Sequence, residues 1–134
     1  MSARSKARKR ALDVLYASEM RNRSTVEALQ EQSEAGPVND YTVELVQGVT
    51  EHRARLDEVI SGYAQGWALD RMPAVDRNVL RLATFEVLYV DDVPNAVAVS
   101  EALNLVRDLS TDESPAFVNG VLGNIVRDRE SLAR

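Results

Sequence analysis

The sequence predicts an all-α protein, a compact bundle of six to seven helices. Apolar residues recur at helical spacing along the chain, and no convincing strand alternation interrupts them. Capping and breaking residues mark where helices start and stop. The connections between these signals are short, so consecutive helices must pack on one another, in two subgroups. At 134 residues the chain is long enough for one domain with a real core, and residues 1–134 are expected to form a single domain.

The first helix is expected from about Ser5 to Arg21, with Ala7, Ala11, Val14 and Leu15 on its buried face. Ser24 then offers a cap, with Glu27 three residues on as capping-box partner, and the second helix stops at Ala35-Gly36-Pro37. A third begins at Asn39 or Asp40, carries Val43, Val46 and Val49, kinks or breaks near Gly48–Thr50, and continues through Leu56, Val59, Ile60 and Tyr63. Gly62 and Gly66 weaken its end by about 1 kcal/mol each relative to alanine. Leu69–Met72 is read as a turn, and Pro73 suits a helix start. The helix from Ala74 to Val90 is apolar over most of its circumference and therefore central, with Arg77, Arg81 and Thr84 as its polar stripe. Asp91-Asp92-Val93-Pro94 closes it and opens the next helix, to about Asp108. Ser114-Pro115 supplies the cap and first turn of the last helix, to about Asp128.

Composition narrows the function. There is no cysteine, hence no disulfide, thiolate site or cysteine nucleophile. No apolar run approaches the roughly 20 residues that span a bilayer, and the basic N-terminus has no signal-peptide core behind it, so a cytoplasmic location is expected. The net charge of −5 conceals an asymmetry. Residues 1–23 carry seven basic side chains against Asp13 and Glu19; the rest carries nine against nineteen acidic ones. An acidic body repels nucleic acid, so any such binding is local to the basic end. No phosphate-binding loop, dinucleotide fingerprint, zinc-protease motif or nucleophile elbow occurs. No enzyme, cofactor or metal site is expected.

Two segments carry the functional signal. In RSKARKR, residues 4–10, cations are followed by an amphipathic helix on which Lys9, Asp13, Tyr16 and Met20 form a line. Cations there suit phosphates, and Tyr16 suits a stacked base; a solvated terminus, with Tyr16 at the core edge, is the plainer reading. In FVNGVLGNIV, Val118, Val121, Leu122 and Ile125 define a buried face. Gly120 and Gly123 leave a bare strip, with Asn119 on that side, open to a ligand or, more simply, to a helix contact within the fold. Phe117 fits core or ligand equally. Around the central helix, Asp70, Arg71, Asp76, Arg77 and Arg81 form a charged cluster, either a solvated surface or a docking edge. Glu86 falls on an apolar face and is expected to be structural. His52 reads as exposed, and Trp67 as packed at a helix end.

At KARKRALDVLYASEM, VDRNVLRLATFEVL, DVPNAVAVSEALNLVRDLS and ESPAFVNGVLGNI the chain resembles the NusB transcription-antitermination family, in order and spacing over nearly its whole length. LDRMPAVDRNVLR is similar to actinobacterial members. The resemblance implies two three-helix subbundles with an extra helix. It further implies binding of boxA, a short single-stranded RNA element, together with the small-subunit ribosomal protein NusE, and entry into the RNA polymerase antitermination complex that supports ribosomal-RNA synthesis. Carried over by position, RNA contacts fall on Arg4, Lys6 and Arg8, then Lys9 and Arg10, with Tyr16, Glu113, Phe117 and Asn119. Asp76 matches an acidic docking position, and Tyr16, Arg77 and Arg81 join it as partner-binding candidates. Ser5 interrupts what is often a longer arginine run, which places more of the affinity on NusE. Some relatives are homodimers that hide the RNA face, and a homodimer stays open for this chain.

The expectation is thus a non-catalytic RNA-binding adaptor that neutralises about four phosphates, with a log–log salt slope near −3. Its rivals are a protein–protein adaptor without intrinsic RNA affinity and a helix-turn-helix DNA binder. The latter lacks a basic recognition helix.

Overall fold

A computed structural model describes residues 2–132, which are helical with no strand among them. The chain divides into two compact units, Met1–Glu51 and His52–Arg134. They correspond to the two expected subbundles.

The first unit holds α1 (Ala3–Met20), α2 (Thr25–Ala35) and α3 (Asp40–Glu51), each packed on the other two. The basic segment is not a frayed lead-in. Ser2 caps α1, its Oγ accepting the Ser5 N–H at 3.0 Å, so the cations lie within the first turns of the helix. The expected face is buried, with Leu12 added to Ala7, Ala11, Val14 and Leu15. It packs on α3 through Tyr41, Leu45, Val46 and Val49, and the Thr42 hydroxyl donates to the Ala7 carbonyl at 3.0 Å. Ser24 caps α2 as expected, accepting the Glu27 N–H at 3.1 Å.

The second unit holds α4 (Arg53–Tyr63), a 3₁₀ turn (Leu69–Arg71), α5 (Ala74–Tyr89), α6 (Asn95–Leu109), α7 (Ser114–Arg127) and a short α8 (Arg129–Leu132). The break in the expected long third helix comes at His52, later than Gly48–Thr50. The short α8 escaped the sequence reading because four residues carry no periodicity. Helix α5 is central, packed by α4, α6 and α7. Its expected polar stripe reaches the surface only at the half-buried Arg77: Arg81 is 4% exposed and Thr84 fully buried. Surrounded on several sides, α5 turns even its polar residues inward, and Thr84 Oγ1 has no hydrogen-bond partner among the described residues. Glu86 is buried on the apolar face, as expected. His52 is not simply exposed. It stacks on Tyr89 at 4.1 Å between ring centroids and lies 6.0 Å from Phe85.

Candidate nucleic-acid interface

The five cations of residues 4–10 do not share one fate. At about 100° per residue, Lys6, Lys9, Asp13, Tyr16 and Met20 fall within roughly 80° of one another on the outer side of α1. Tyr16 is 41% exposed and Met20 51%. Lys6 is exposed and makes no ion pair among the described residues. Lys9 pairs with Asp13 at 2.8 Å, an exposed bridge that phosphate can exchange at little cost. Arg10 Nε donates to Gln32 Oε1 on α2 at 2.6 Å. Arg4 and Arg8 face the other way: their guanidinium carbons lie 4.2 and 5.8 Å from the Tyr41 ring centroid. Arg8 is buried, which corrects its expected place among the phosphate contacts. Its position follows the Ala7–Ala11 core face, where a long side chain can lay its stem on apolar surface.

In the second unit the α7 core face is as expected: Val118, Val121, Leu122 and Ile125 are buried. The glycines are not a helix contact. Gly120 and Gly123 are exposed, and a Cβ on either would meet nothing within 4 Å. Phe117 is half-buried at the margin, and Trp67 lies against it, centroids 5.5 Å apart and planes 39° apart. Trp67 is 45% exposed, not packed away at a helix end. Gly66, at φ 81°, turns the chain just before it in a conformation that suits a residue without Cβ. Phe117 and Asn119 are both accessible but stand roughly 160° apart around the helix, so they cannot serve one base together. Glu113 is exposed at the N-cap of α7 and makes no capping bond.

The charged cluster, read as a solvated surface or a docking edge, divides: Asp70 and Arg71 are exposed, Arg77 is half-buried, and Asp76 and Arg81 are buried. Asp76 is 2% exposed; its Oδ1 accepts from Ser110 Oγ at 2.6 Å and its Oδ2 from Ser114 Oγ at 2.8 Å. Arg81 makes a two-pronged bridge to Asp57, at 2.7 and 3.1 Å, and donates to Asn78 Oδ1. Arg77 Nη1 donates to the Leu69 and Met72 carbonyls at 2.7 and 2.9 Å, clamping the 3₁₀ turn. Asp76 and Arg77 thus hold the turns beside α5, and Arg81 ties α5 to α4. Of the four partner candidates, Tyr16 is the one that stands exposed. Sequence reasoning missed the inward turn because it treated charge at a helix head as solvated.

At the end of α7, Asp128 accepts from the Tyr63 hydroxyl at 2.6 Å and from Arg127 Nε and Nη2 at 2.9 and 3.0 Å. The Arg127 hydrogen bonds, then that of Tyr63, hold its carboxyl down at about 2, against an ordinary 3.8. Among the described residues no group of three His, Cys, Asp or Glu side chains is placed to hold a metal, and no helix is long and apolar enough to cross a membrane.

These features define a class: an all-helical module presenting a cationic helix face and exposed aromatic rings. The NusB family profile matches residues 5–127. A transcription antitermination protein NusB from Nocardioides sp. is 68% identical over 135 residues, covering 99% of this chain and all of that one. T. maritima NusB is similar in structure with a TM-score of 0.84 at 31% identity, over 95% of this chain and 92% of that one. A crystal structure of antitermination factors NusB and NusE in complex with dsRNA matches with a TM-score of 0.82 at 27% identity, over 92% of this chain and 96% of that one. The chain belongs to the NusB family.

Proposed function

We propose that this protein is a non-catalytic, cytoplasmic transcription antitermination factor. It binds single-stranded boxA RNA together with NusE and joins the RNA polymerase complex that supports ribosomal-RNA transcription. The observation that carries the reading is the outer face of α1, where Lys6, Lys9 and Tyr16 align on a chain otherwise strongly acidic. Lys6, Lys9 and Arg10 hold phosphates; Arg4 and Arg8 support α1 from the Tyr41 side. Tyr16, Phe117 and Asn119 supply stacking and hydrogen-bonding groups, each on its own helix face, and Glu113 discourages a strand from entering the α7 turn indiscriminately. The solved relative in complex with NusE and dsRNA supports NusE and RNA as partner classes, while the single-strand assignment rests on the exposed ring of Tyr16 beside the cations.

The test is titration of the purified protein with a labelled boxA oligonucleotide, with and without NusE, at two salt concentrations. Three neutralised phosphates give a log–log slope near −2, at roughly −0.7 per phosphate. Triple replacement of Lys6, Lys9 and Arg10 by alanine brings the slope toward zero. Absence of RNA binding in every arm leaves the adaptor reading and ends this one. Tighter binding to a duplex than to the single strand overturns the single-strand assignment. Sedimentation of the free protein shows whether a homodimer covers the face.

A further inference from the structure

Fourteen of the sixteen basic side chains in this sequence are arginines, and the two lysines, Lys6 and Lys9, stand one turn apart on the outer face of α1. A guanidinium stays charged and unreactive, whereas a lysine amine accepts acyl groups and loses its charge when it does. The side-chain amines that can be neutralised in this way therefore lie together on the face proposed to hold RNA phosphates. We propose that Lys6 is an acylation site, which takes its acyl group from an acyl phosphate and so weakens the grip of α1 on RNA. The proposal rests on the RNA-binding reading above and adds regulation to it.

Geometry selects Lys6 over Lys9. Lys6 is exposed and makes no ion pair among the described residues. Lys9 is half-buried, and its Nζ lies 2.8 and 3.0 Å from the two carboxylate oxygens of Asp13. An ammonium held in that bridge has no lone pair to offer. The phosphate of the donor finds its seat beside Lys6. Side chains three and four positions on are helix neighbours, with Cβ atoms about 5–6 Å apart, and here they are Lys9 and Arg10. Arg10 engages Gln32 through Nε, which leaves its two terminal amino groups for an anion. Lys9 can exchange its exposed bridge for the phosphate.

With the phosphate so held, the acyl carbon of the donor comes within reach of Lys6 Nζ. The amine, in its neutral form, attacks that carbon. The bond from the carbon to the phosphate oxygen breaks, orthophosphate leaves, and the nitrogen gives one proton to water as the amide forms. Nothing is oxidised or reduced. The product keeps its fold, since the Lys6 ammonium pairs with nothing within it, but one of three phosphate-holding cations is gone. The salt slope falls from near −2 to about −1.4, and affinity at about 0.1 M salt falls about 5-fold, one phosphate's share of counterion release. RNA and the acyl donor claim the same cations, so bound RNA shields Lys6.

The experiment incubates the full-length protein with acetyl phosphate and, in parallel, with p-nitrophenyl acetate, a donor without a phosphate. Peptide mass spectrometry locates the modified lysines. Acetyl phosphate should label Lys6 several-fold faster than Lys9, and inorganic phosphate or boxA RNA should slow it. Inorganic phosphate should not slow p-nitrophenyl acetate. In urea the two lysines should react alike, and Asp13→Ala should bring Lys9 up toward the rate of Lys6. The acylated protein, and Lys6→Gln, should show the stated losses of affinity and slope toward a labelled boxA oligonucleotide. Lys6→Arg should resist labelling at that position, with the same RNA affinity before and after acetyl phosphate. Circular dichroism confirms that each form folds.

Equal labelling of Lys6 and Lys9 in the folded protein, or labelling by acetyl phosphate that inorganic phosphate leaves unchanged, refutes the acyl-phosphate site. Selective labelling of Lys6 with parental RNA affinity and slope refutes the switch and leaves RNA binding through Lys9 and Arg10 standing. Absence of RNA binding by the unmodified protein, with NusE as without it, removes the RNA-binding reading itself, and the switch falls with it.

Discussion

Replacing Asp76 by alanine separates a positioning role from a docking one. Its carboxylate is buried and accepts hydroxyl hydrogen bonds from Ser110 at the end of α6 and Ser114 at the start of α7. Hydrogen bonds to a charged acceptor contribute about 1.5–3 kcal/mol each. Two partial offsets reduce the sum. Removing a buried carboxylate relieves its desolvation cost, and the two hydroxyls keep each other at 3.0 Å and Thr111 at 2.8 Å. A net loss of about 2–3 kcal/mol remains. For a chain of this length that lowers Tm by about 7–11 °C, from roughly 2.1 cal/mol/K of unfolding entropy per residue. Thermal unfolding followed by circular dichroism measures it, and urea titration checks it. A double-mutant cycle of Asp76→Ala with Ser114→Ala should return a coupling of at least about 1 kcal/mol. A Tm within 2 °C of the parent, or no coupling to Ser114, refutes the positioning role; impaired NusE binding at unchanged stability would restore the docking expectation.

Three further outcomes follow from the same geometry. Because the folded state holds Asp128 at about 2, below its ordinary 3.8, its contribution is fully present above that ordinary value and drains away as pH falls through about 2. The Tm difference between the parent and Asp128→Asn should therefore be full at pH 5 and shrink between pH 4 and 2; a constant difference contradicts the linkage. Gly123→Ala should stabilise the protein by about 0.5–1 kcal/mol, since helix propensity rises and open space receives the methyl group; destabilisation in urea titration would mean the strip is not open. Arg81→Ala should cost about 2–3 kcal/mol, less than a fully buried pair because the Asp57 side chain is 28% exposed. Arg81→Lys should recover only part, lacking the planar fork, and full recovery would show that charge alone matters.

What could be read in the chain beforehand was whatever depends on local order. Helical periodicity placed the buried faces of α1 and α7, Ser24 gave a cap, and the cluster of cations at residues 4–10 marked the candidate phosphate face. The start of α1 was misplaced by two residues because the Ser2 cap precedes the basic run and was not weighed. Side-chain direction was another matter. Arg4, Lys6, Arg8, Lys9 and Arg10 look equivalent in sequence, yet only packing against Tyr41 separates the inward pair from the others.

Tertiary structure also decided the polar residues of α5. A helix packed by three others has little solvent-facing side, so Asp76, Arg77 and Arg81 found internal acceptors and donors, where a surface helix would have left them in water. The meeting of Trp67 with Phe117 is likewise invisible along the chain, since the two rings are 50 positions apart and belong to different elements. Sequence alone determined the longer helices, apart from the exact break at His52, and the apolar stripes of α1 and α7, because those follow from short-range spacing. Only the fold determined which charges remain available to a ligand, because availability is set by what each side chain meets across the packed interior.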